Sequence, residues 1–351
     1  MAGRAVTRRA LRFPATVGIL GVALLLLVVP PGAAGPATGS ATNGGVVVPH
    51  AWILLHPSTA PSKRDGQSMV YDIAAGAVVL FGGEGYSHAF NDTWTFRAGV
   101  WTDLGLSHAP PGRSFASFAY DPDSQRAILF GGVPVSSSIP MNDTWAFANG
   151  TWHRLSVHGA PPAVFDASFV FDPAMGRLVL YGGYTWNSSA HLGAWNNATW
   201  SWANGSWTKI PTSSVASGDI SAAAYDPTYG GIVLVGPVAR SGTTIGTWLF
   251  RNGSWSALSV GVEPPQLPGQ AQSLVLDPTY HFLLLVGPWR DTWRFHNGSW
   301  TQLHLVPTST PKDRYGFGLT FDAHDRYVLL FGGFTDRASD ALHHQNDTWT
   351  Y

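Results

Sequence analysis

Three arginines occupy one recurring position, in Pro61-Ser-Lys-Arg64, Pro110-Pro-Gly-Arg113 and Pro311-Lys-Asp-Arg314. A guanidinium binds carboxylates and other anions in a two-pronged geometry, so three brought together could grip an anionic ligand. The structural alternative is that each Arg packs over an aromatic ring or pairs with a nearby acid, Asp65 or Asp313. Other chemistry-bearing residues gather in four short stretches. Glu84, Tyr86 and His88 form one, and Tyr184, Trp186, His191 and Trp195 a second. Trp289 and Arg290 form a third; Asp336, Arg337, Asp340, His343 and His344 make the fourth. Trp186, Trp195 and Trp289 could stack on the flat apolar faces of sugar rings, or could simply anchor their loops. Glu84, Asp166, Asp219 and Glu263 are the acids available for proton transfer, although spacing does not show which of them face each other. His343 and His344 are adjacent, so their side chains diverge and no third ligand is fixed by spacing. No metal site is therefore expected. Neither a His-Glu-x-x-His, nor a Gly-x-Ser-x-Gly, nor a phosphate-binding Gly loop is present, and no catalytic residue or cofactor is assigned.

The elements that must position these groups follow from composition and periodicity. The chain has 351 residues, 40 Gly, 25 Pro, 16 Trp and no Cys. Disulfides, thiolate zinc sites and Cys nucleophiles are thereby excluded. With 45% hydrophobic residues a large core can form, and a formal charge of −1 argues against a nucleic-acid partner. Arg4, Arg8, Arg9 and Arg12 precede an apolar run from Val17 to Val29, followed by prolines and small residues. That order predicts a secretory signal over 1–34, the run being shorter than the roughly 20 residues that span a bilayer. The alternative is an uncleaved N-terminal anchor, the one route to a membrane in this reading. Residues 35–48, rich in Gly, Ala, Thr and Ser, read as a flexible linker. The mature chain is mildly acidic and is expected outside the cell or on its surface.

From residue 49 onward one block recurs about every fifty residues. An aromatic-Asp-Pro leads into an apolar run ending in Gly-Gly, then Asn-Asp-Thr-Trp-x-Phe and Asn-Gly-Ser/Thr-Trp. Copy two shows it most fully, from Tyr120-Asp121-Pro122 through Gly131-Gly132 and Asn142-Asp143-Thr144-Trp145 to Asn149-Gly150-Thr151-Trp152. Six copies start at Asp72, Asp121, Asp172, Asp226, Asp277 and Asp322. The sixth lacks its second Trp, and Trp52 precedes Asp72 by the interval at which Trp101 precedes Asp121. A strand around Trp52 is therefore expected to complete the last unit and close a ring, which removes an open sheet edge.

Each unit reads as four antiparallel strands; in copy two these are Ser114–Tyr120, Arg126–Gly131, Thr144–Phe147 and Thr151–Leu155. Asn149-Gly150, Asn204-Gly205, Asn252-Gly253 and Asn297-Gly298 predict two-residue hairpins. The Gly doublets and Trp positions in blocks of this length resemble the kelch repeat of β-propellers, shared with the galactose oxidase central domain. The resemblance implies an all-β, six-bladed kelch-type propeller over 49–351. Copies four and five depart from it with Gly236-Pro237 and Gly287-Pro288, where the second strand should end early or the loop differ in shape.

Once the repeat is subtracted, only Trp186, Trp195 and Trp289 lie outside its aromatic positions. The aspartates at the first turn, together with Asp92, Asp143, Asp291 and Asp347, read as turn and hydrogen-bonding residues. Uniform turns leave one rim plain, and the variable connections share the other, where binding groups are expected. The three Arg would then cluster at that rim, on neighbouring blades six, one and two. The function expected is an exported module that binds a protein or glycan there. The alternative is a carbohydrate-active enzyme of epimerase- or lyase-like acid/base chemistry, since families of this resemblance include sugar epimerases. Galactose oxidase chemistry needs a Cys-modified Tyr, which this chain cannot make. Nine Asn-x-Ser/Thr sequons are present, eight of them generated by the repeat, which makes a glycoprotein possible if the host glycosylates its exports.

Overall fold

The computed structural model describes residues 51–351 except 138, 188–191, 213–220, 239–243, 266–272, 288–290, 306–309 and 338–339. The predicted signal and linker lie outside the described residues, as do Trp289, Arg290, His191 and Asp219.

All regular structure among the described residues is β, in six four-stranded antiparallel sheets and two small hairpins. Blade one runs through Ser68–Asp72, Ala77–Phe81, Thr93–Arg97 and Val100–Asp103. Blade two comprises Ser117–Asp121, Arg126–Phe130, Thr144–Ala148 and Thr151–Leu155, and blade three Ser168–Asp172, Arg177–Tyr181, Thr199–Ala203 and Ser206–Ile210. Ala222–Asp226, Gly231–Pro237, Ile245–Arg251 and Ser254–Leu258 form blade four. Leu274–Asp277, Phe282–Val286, Thr292–His296 and Ser299–Leu303 form blade five. Blade six takes Gly318–Asp322, Tyr327–Phe331 and Thr348–Thr350 from the end of the chain and its outer strand, Ile53–Leu55, from the beginning. Ile53 pairs with Thr350 and Leu55 with Thr348, so the closure expected at Trp52 is formed. Each first strand touches those of the neighbouring blades, and that of blade six meets that of blade one.

Burial explains the strand sequences. Second strands such as Ala77–Phe81 are apolar throughout because both faces are covered by neighbouring blades. Outer strands alternate, as in Val100–Asp103, where only Trp101 points inward. The first-turn aspartates accept backbone N–H groups two or three residues ahead, for example Thr228 to Asp226 and Thr279 to Asp277 at 2.8 Å each. Such Asx-type bonding closes the plain-rim turns.

Tryptophan indoles bind the blades to one another. Trp101 Nε1 donates to Thr348 Oγ1, Trp152 to Thr93, Trp207 to Thr144, Trp255 to Thr199 and Trp300 to Thr247, at 2.9–3.0 Å. Each bond joins one blade's outer strand to the preceding blade's third strand. Trp52 completes the circuit with a longer contact, 3.5 Å, to Thr292. Aromatics at the ends of second strands pack on the same rings, as Phe81 does on Trp152 and Phe331 on Trp101, at 5.0 Å between centroids.

Two expectations are corrected. The first strand of copy two begins at Ser117, not Ser114, because Phe115 has φ 54° and breaks the extended run. In copy four the second strand does not end early but lengthens to Pro237, pairing with Ile245. The first strand stops opposite Val235, so the N–H that Pro237 lacks has no ladder partner to lose on that side.

Candidate functional site

The second-to-third and inter-blade connections share one rim, and the structure places the three arginines beneath its surface. Arg64, Arg113 and Arg314 are all at most 2% exposed. Arg113 Nη1 and Nη2 hold Asp143 Oδ1 and Oδ2 at 2.6 and 2.9 Å, Nη1 also reaches the Gly131 carbonyl, and Nε the Pro111 carbonyl. Arg64 repeats this with Asp92, Gly82 and Ser62, and Arg314 with Asp347, Gly332 and Lys312. The partners are thus repeat aspartates about thirty residues downstream, not Asp65 or Asp313. Those aspartates, partly exposed, bear out the hydrogen-bonding half of the role expected of them, as counter-ions to the arginines, and each also accepts the indole N–H of Trp94, Trp145 or Trp349. Packing over an aromatic holds for Arg64, whose guanidinium lies 3.9 Å from the Phe90 ring centroid. Burial alone would push the Asp143 and Asp347 carboxyls up, but bonding and charge from their arginines bring both below the usual range. Guanidinium groups so enclosed offer no anion grip on the rim.

Blade five keeps Asp291, which accepts from Gln302 at 2.9 Å, whereas blade three lacks both members of the pair. Val164 stands in place of Arg and Ala198 in place of Asp, and Trp200 Nε1 is left buried with no acceptor.

What does reach the inner edge of the rim is a different set. Two residues past the Arg position of the four described copies the chain turns left-handed, at Gly66, Phe115, Asp166 and Gly316, with φ between 54° and 64°. Their backbones link blade to blade, Gly66 N–H to Gly316 C=O, Phe115 to Gly66 and Asp166 to Phe115, at 2.6–2.8 Å. The residue before each of these bridges the residue after its own blade's Gly-Gly: Asp65 with Glu84, Ser114 with Val133, Phe165 with Tyr184, Tyr315 with Phe334. Glycine is required in the doublet. Gly83 has φ 91°, and a Cβ there would meet the Asp65 carbonyl oxygen at 2.8 Å.

Side chains at this inner ring fall into two chemistries. On blade one, buried Asp65 receives His344 from blade six, with Nε2 2.8 Å from Oδ1. Glu84 beside it accepts from the Ser114 hydroxyl of blade two at 3.2 Å. Burial pushes the Asp65 carboxyl up against the opposing bond to His344. The bond to Asp65 raises His344 against burial, and the Glu84 charge adds to it. On blades two and three a half-exposed aromatic run continues from Phe115 to Phe165, Tyr184 and Trp195, with centroids 6.3, 5.4 and 4.9 Å apart. Tyr315 and Phe334 stack at 5.5 Å on blade six.

Of the residues marked from sequence, Glu84, Tyr184, Trp195 and His344 belong to this set. Trp186 lies further out, on the hairpin of Tyr184–Asn187 and Leu192–Trp195. The segments 184–195 and 334–344 are therefore largely paired strands rather than loops. His88 is exposed on its loop, its ring 4.5 Å edge-on to Phe90. Glu263 accepts from the N–H and hydroxyl of Thr247 at 3.0 and 2.6 Å, away from the inner ring. Asp65, Ser114, Phe115 and Phe165 were missed by sequence reasoning. Asp65, Ser114 and Phe165 share one register position and Phe115 lies at the next, and the chemistry of both positions changes from copy to copy. No group of three metal-ligating side chains occurs among the described residues.

No protein-family model matches the chain, and no curated protein matches it by sequence. Solved chains that match number 506. The structure of YjhT is one of them, with TM-score 0.58 and 14% identity over 83% of this chain and 95% of that one. At such identity the likeness carries the architecture alone, and the chain is a six-bladed β-propeller.

Proposed function

We propose that this chain is an exported propeller of the kelch-repeat type that binds a glycan or a protein at the inner edge of its variable rim. The observation that carries the reading is the aromatic run from Phe115 to Trp195 beside the Asp65–His344–Glu84 group. Aromatic faces take up apolar sugar faces or side chains, while carboxylates and an imidazole accept and donate hydrogen bonds to hydroxyls. The guanidinium groups are enclosed, so the site favours a neutral or polar ligand over an anion. A second reading, acid/base chemistry on a sugar, draws on one feature: a buried carboxyl and an imidazole in contact, both raised above their ordinary values.

The test is a glycan and peptide array probed with the protein, followed by calorimetry of each hit with Tyr184→Ala and Glu84→Gln. Loss of about tenfold or more in affinity, equivalent to ~1.4 kcal/mol, is expected for each. Affinity unchanged in both folded variants refutes the site. Conversion of a bound sugar that His344→Gln abolishes would favour the enzymatic reading.

A further inference from the structure

The sequons fall into two sets that the fold treats oppositely. Asn91, Asn142, Asn197 and Asn346 stand on the variable rim, two residues before Thr93, Thr144, Thr199 and Thr348. Each of those threonines is at most 1% exposed and accepts an indole N–H from the next blade. Thr247 and Thr292 do the same with Ile245 and Arg290 two residues before them. The fold therefore requires the threonine and not the asparagine, and the hydroxyl is sealed inside a blade seam.

The other set lies at the plain-rim hairpin tips. Asn149, Asn204, Asn252 and Asn297 have φ 48–52° and are exposed, as are the hydroxyl residues Thr151, Ser206, Ser254 and Ser299. A Cβ at Gly150, Gly205 or Gly253 would meet nothing within 4 Å, so the space around those tips is open. The left-handed φ suits asparagine, and the Thr151 hydroxyl donates to the Ala148 carbonyl at 3.1 Å, but the turn does not require either residue. Blade one builds the same turn from Ala98-Gly99 with φ 49° and 78°, and carries exposed Val100 at the hydroxyl position. Where the asparagine is absent the hydroxyl is absent too, and all four asparagines carry it.

We infer that the hairpin-tip asparagines Asn149, Asn204, Asn252 and Asn297 are acceptors for N-linked glycan on the folded chain, and that the variable-rim sequons are not. The inference rests on the export reading proposed above. In the transfer, the Asn side-chain nitrogen attacks the anomeric carbon of a sugar carried on a lipid diphosphate. A C–N bond forms, the bond from that carbon to the phosphate oxygen breaks, the lipid diphosphate leaves, and the amide proton passes to the enzyme's base. An oligosaccharyltransferase and its lipid-linked donor supply the reaction. Sugar would then cover the plain rim and leave the ligand rim open.

The test incubates the folded full chain with an oligosaccharyltransferase and a lipid-diphosphate-linked oligosaccharide, and maps attachment by peptide mass spectrometry. The expected result is occupancy at the four tips at least tenfold above that at Asn91, Asn142 and Asn346, a bias that heat-unfolding the chain erases. Ser254→Ala should abolish attachment at Asn252 alone. No attachment to the folded chain, or equal yields on the two rims, overturns the inference. Protein recovered from its source separates the two claims. An exported chain whose mass carries no sugar refutes the glycan alone, whereas a chain retained in the cell with residues 1–34 attached refutes export and leaves the transfer assay to decide the acceptors.

Discussion

A double-mutant cycle on Arg113 and Asp143 measures how far the enclosed ion pairs support the ring. Asp143→Ala leaves a fully buried guanidinium with only carbonyl partners and removes the acceptor of Trp145 Nε1, held at 2.7 Å. Breaking one side of a buried pair costs about 3–5 kcal/mol, so a loss of ~4 is expected. Arg113→Val leaves a carboxylate whose side chain is 15% exposed and keeps the Trp145 bond, so ~3 kcal/mol is expected. The double variant reproduces what blade three already contains, Val164 with Ala198. No charge is then left buried, and the loss reduces to the Trp145 bond, the carbonyl contacts and some packing, ~3–4 kcal/mol in all. The coupling comes to about 3–4 kcal/mol, at or just above the upper end for contacting residues. Urea unfolding of the parent and three variants at neutral pH supplies the four free energies. Repeating the set in about 1 M salt should leave the coupling nearly intact, because enclosed charges are poorly screened. Coupling below about 0.5 kcal/mol, or coupling that salt abolishes, would refute the idea that each pair is an interior unit.

Two further outcomes follow from the seam between the ends of the chain. Trp52→Ala removes a buried ring, its contact to Thr292 and its packing at 5.3 Å on Tyr351, and should cost about 3–5 kcal/mol. Hydrogen exchange should show the loss of protection centred on blade six; a cost under about 1 kcal/mol would refute non-covalent closure. His344, raised by Asp65, contributes stability fully below the ordinary imidazole value of about 6.5 and loses it as pH rises through its higher folded value. At the acid end Asp65, itself raised, takes up a proton and the ionic contact ends. The stability difference between parent and His344→Gln should therefore peak between those limits, and a thermal-melt difference flat from about pH 4 to about pH 9 would sink the pairing.

Much of the architecture was legible because it is periodic. The interval from Trp52 to Asp72 matched the internal one, and strand pairing of Ile53 with Thr350 followed from it. The arginine partners were less legible. Arg113 and Asp143 sit thirty positions apart, and both were visible as repeat residues. Their meeting depends on a left-handed turn after Arg and on the paired positive φ of Gly131-Gly132, which spacing does not encode. Local acids such as Asp65 therefore looked nearer than they are. The inner-ring site was hidden for a related reason. Asp65, Ser114, Phe165 and Tyr315 share one register position, but the repeat leaves it undefined, so it looked like loop variation. Conversely Trp186 stood out as a leftover aromatic although it sits beyond Tyr184 and Trp195 on the hairpin they share.

The circuit of indole-to-threonine bonds also imposes an order of events on synthesis. Trp52 is among the first ring residues made, yet its acceptor Thr292 lies 240 residues later in sequence. Blades one to five can each dock on the one before as they are completed, much as in a linear array of repeats. The outer strand of blade six has no sheet to join until Thr348–Thr350 exist. Until then an apolar strand bearing Ile53, Leu54 and Trp52 must be kept from pairing elsewhere. The early-made end thus acts as a timed latch, and the slowest step of folding should be its capture by the last strand.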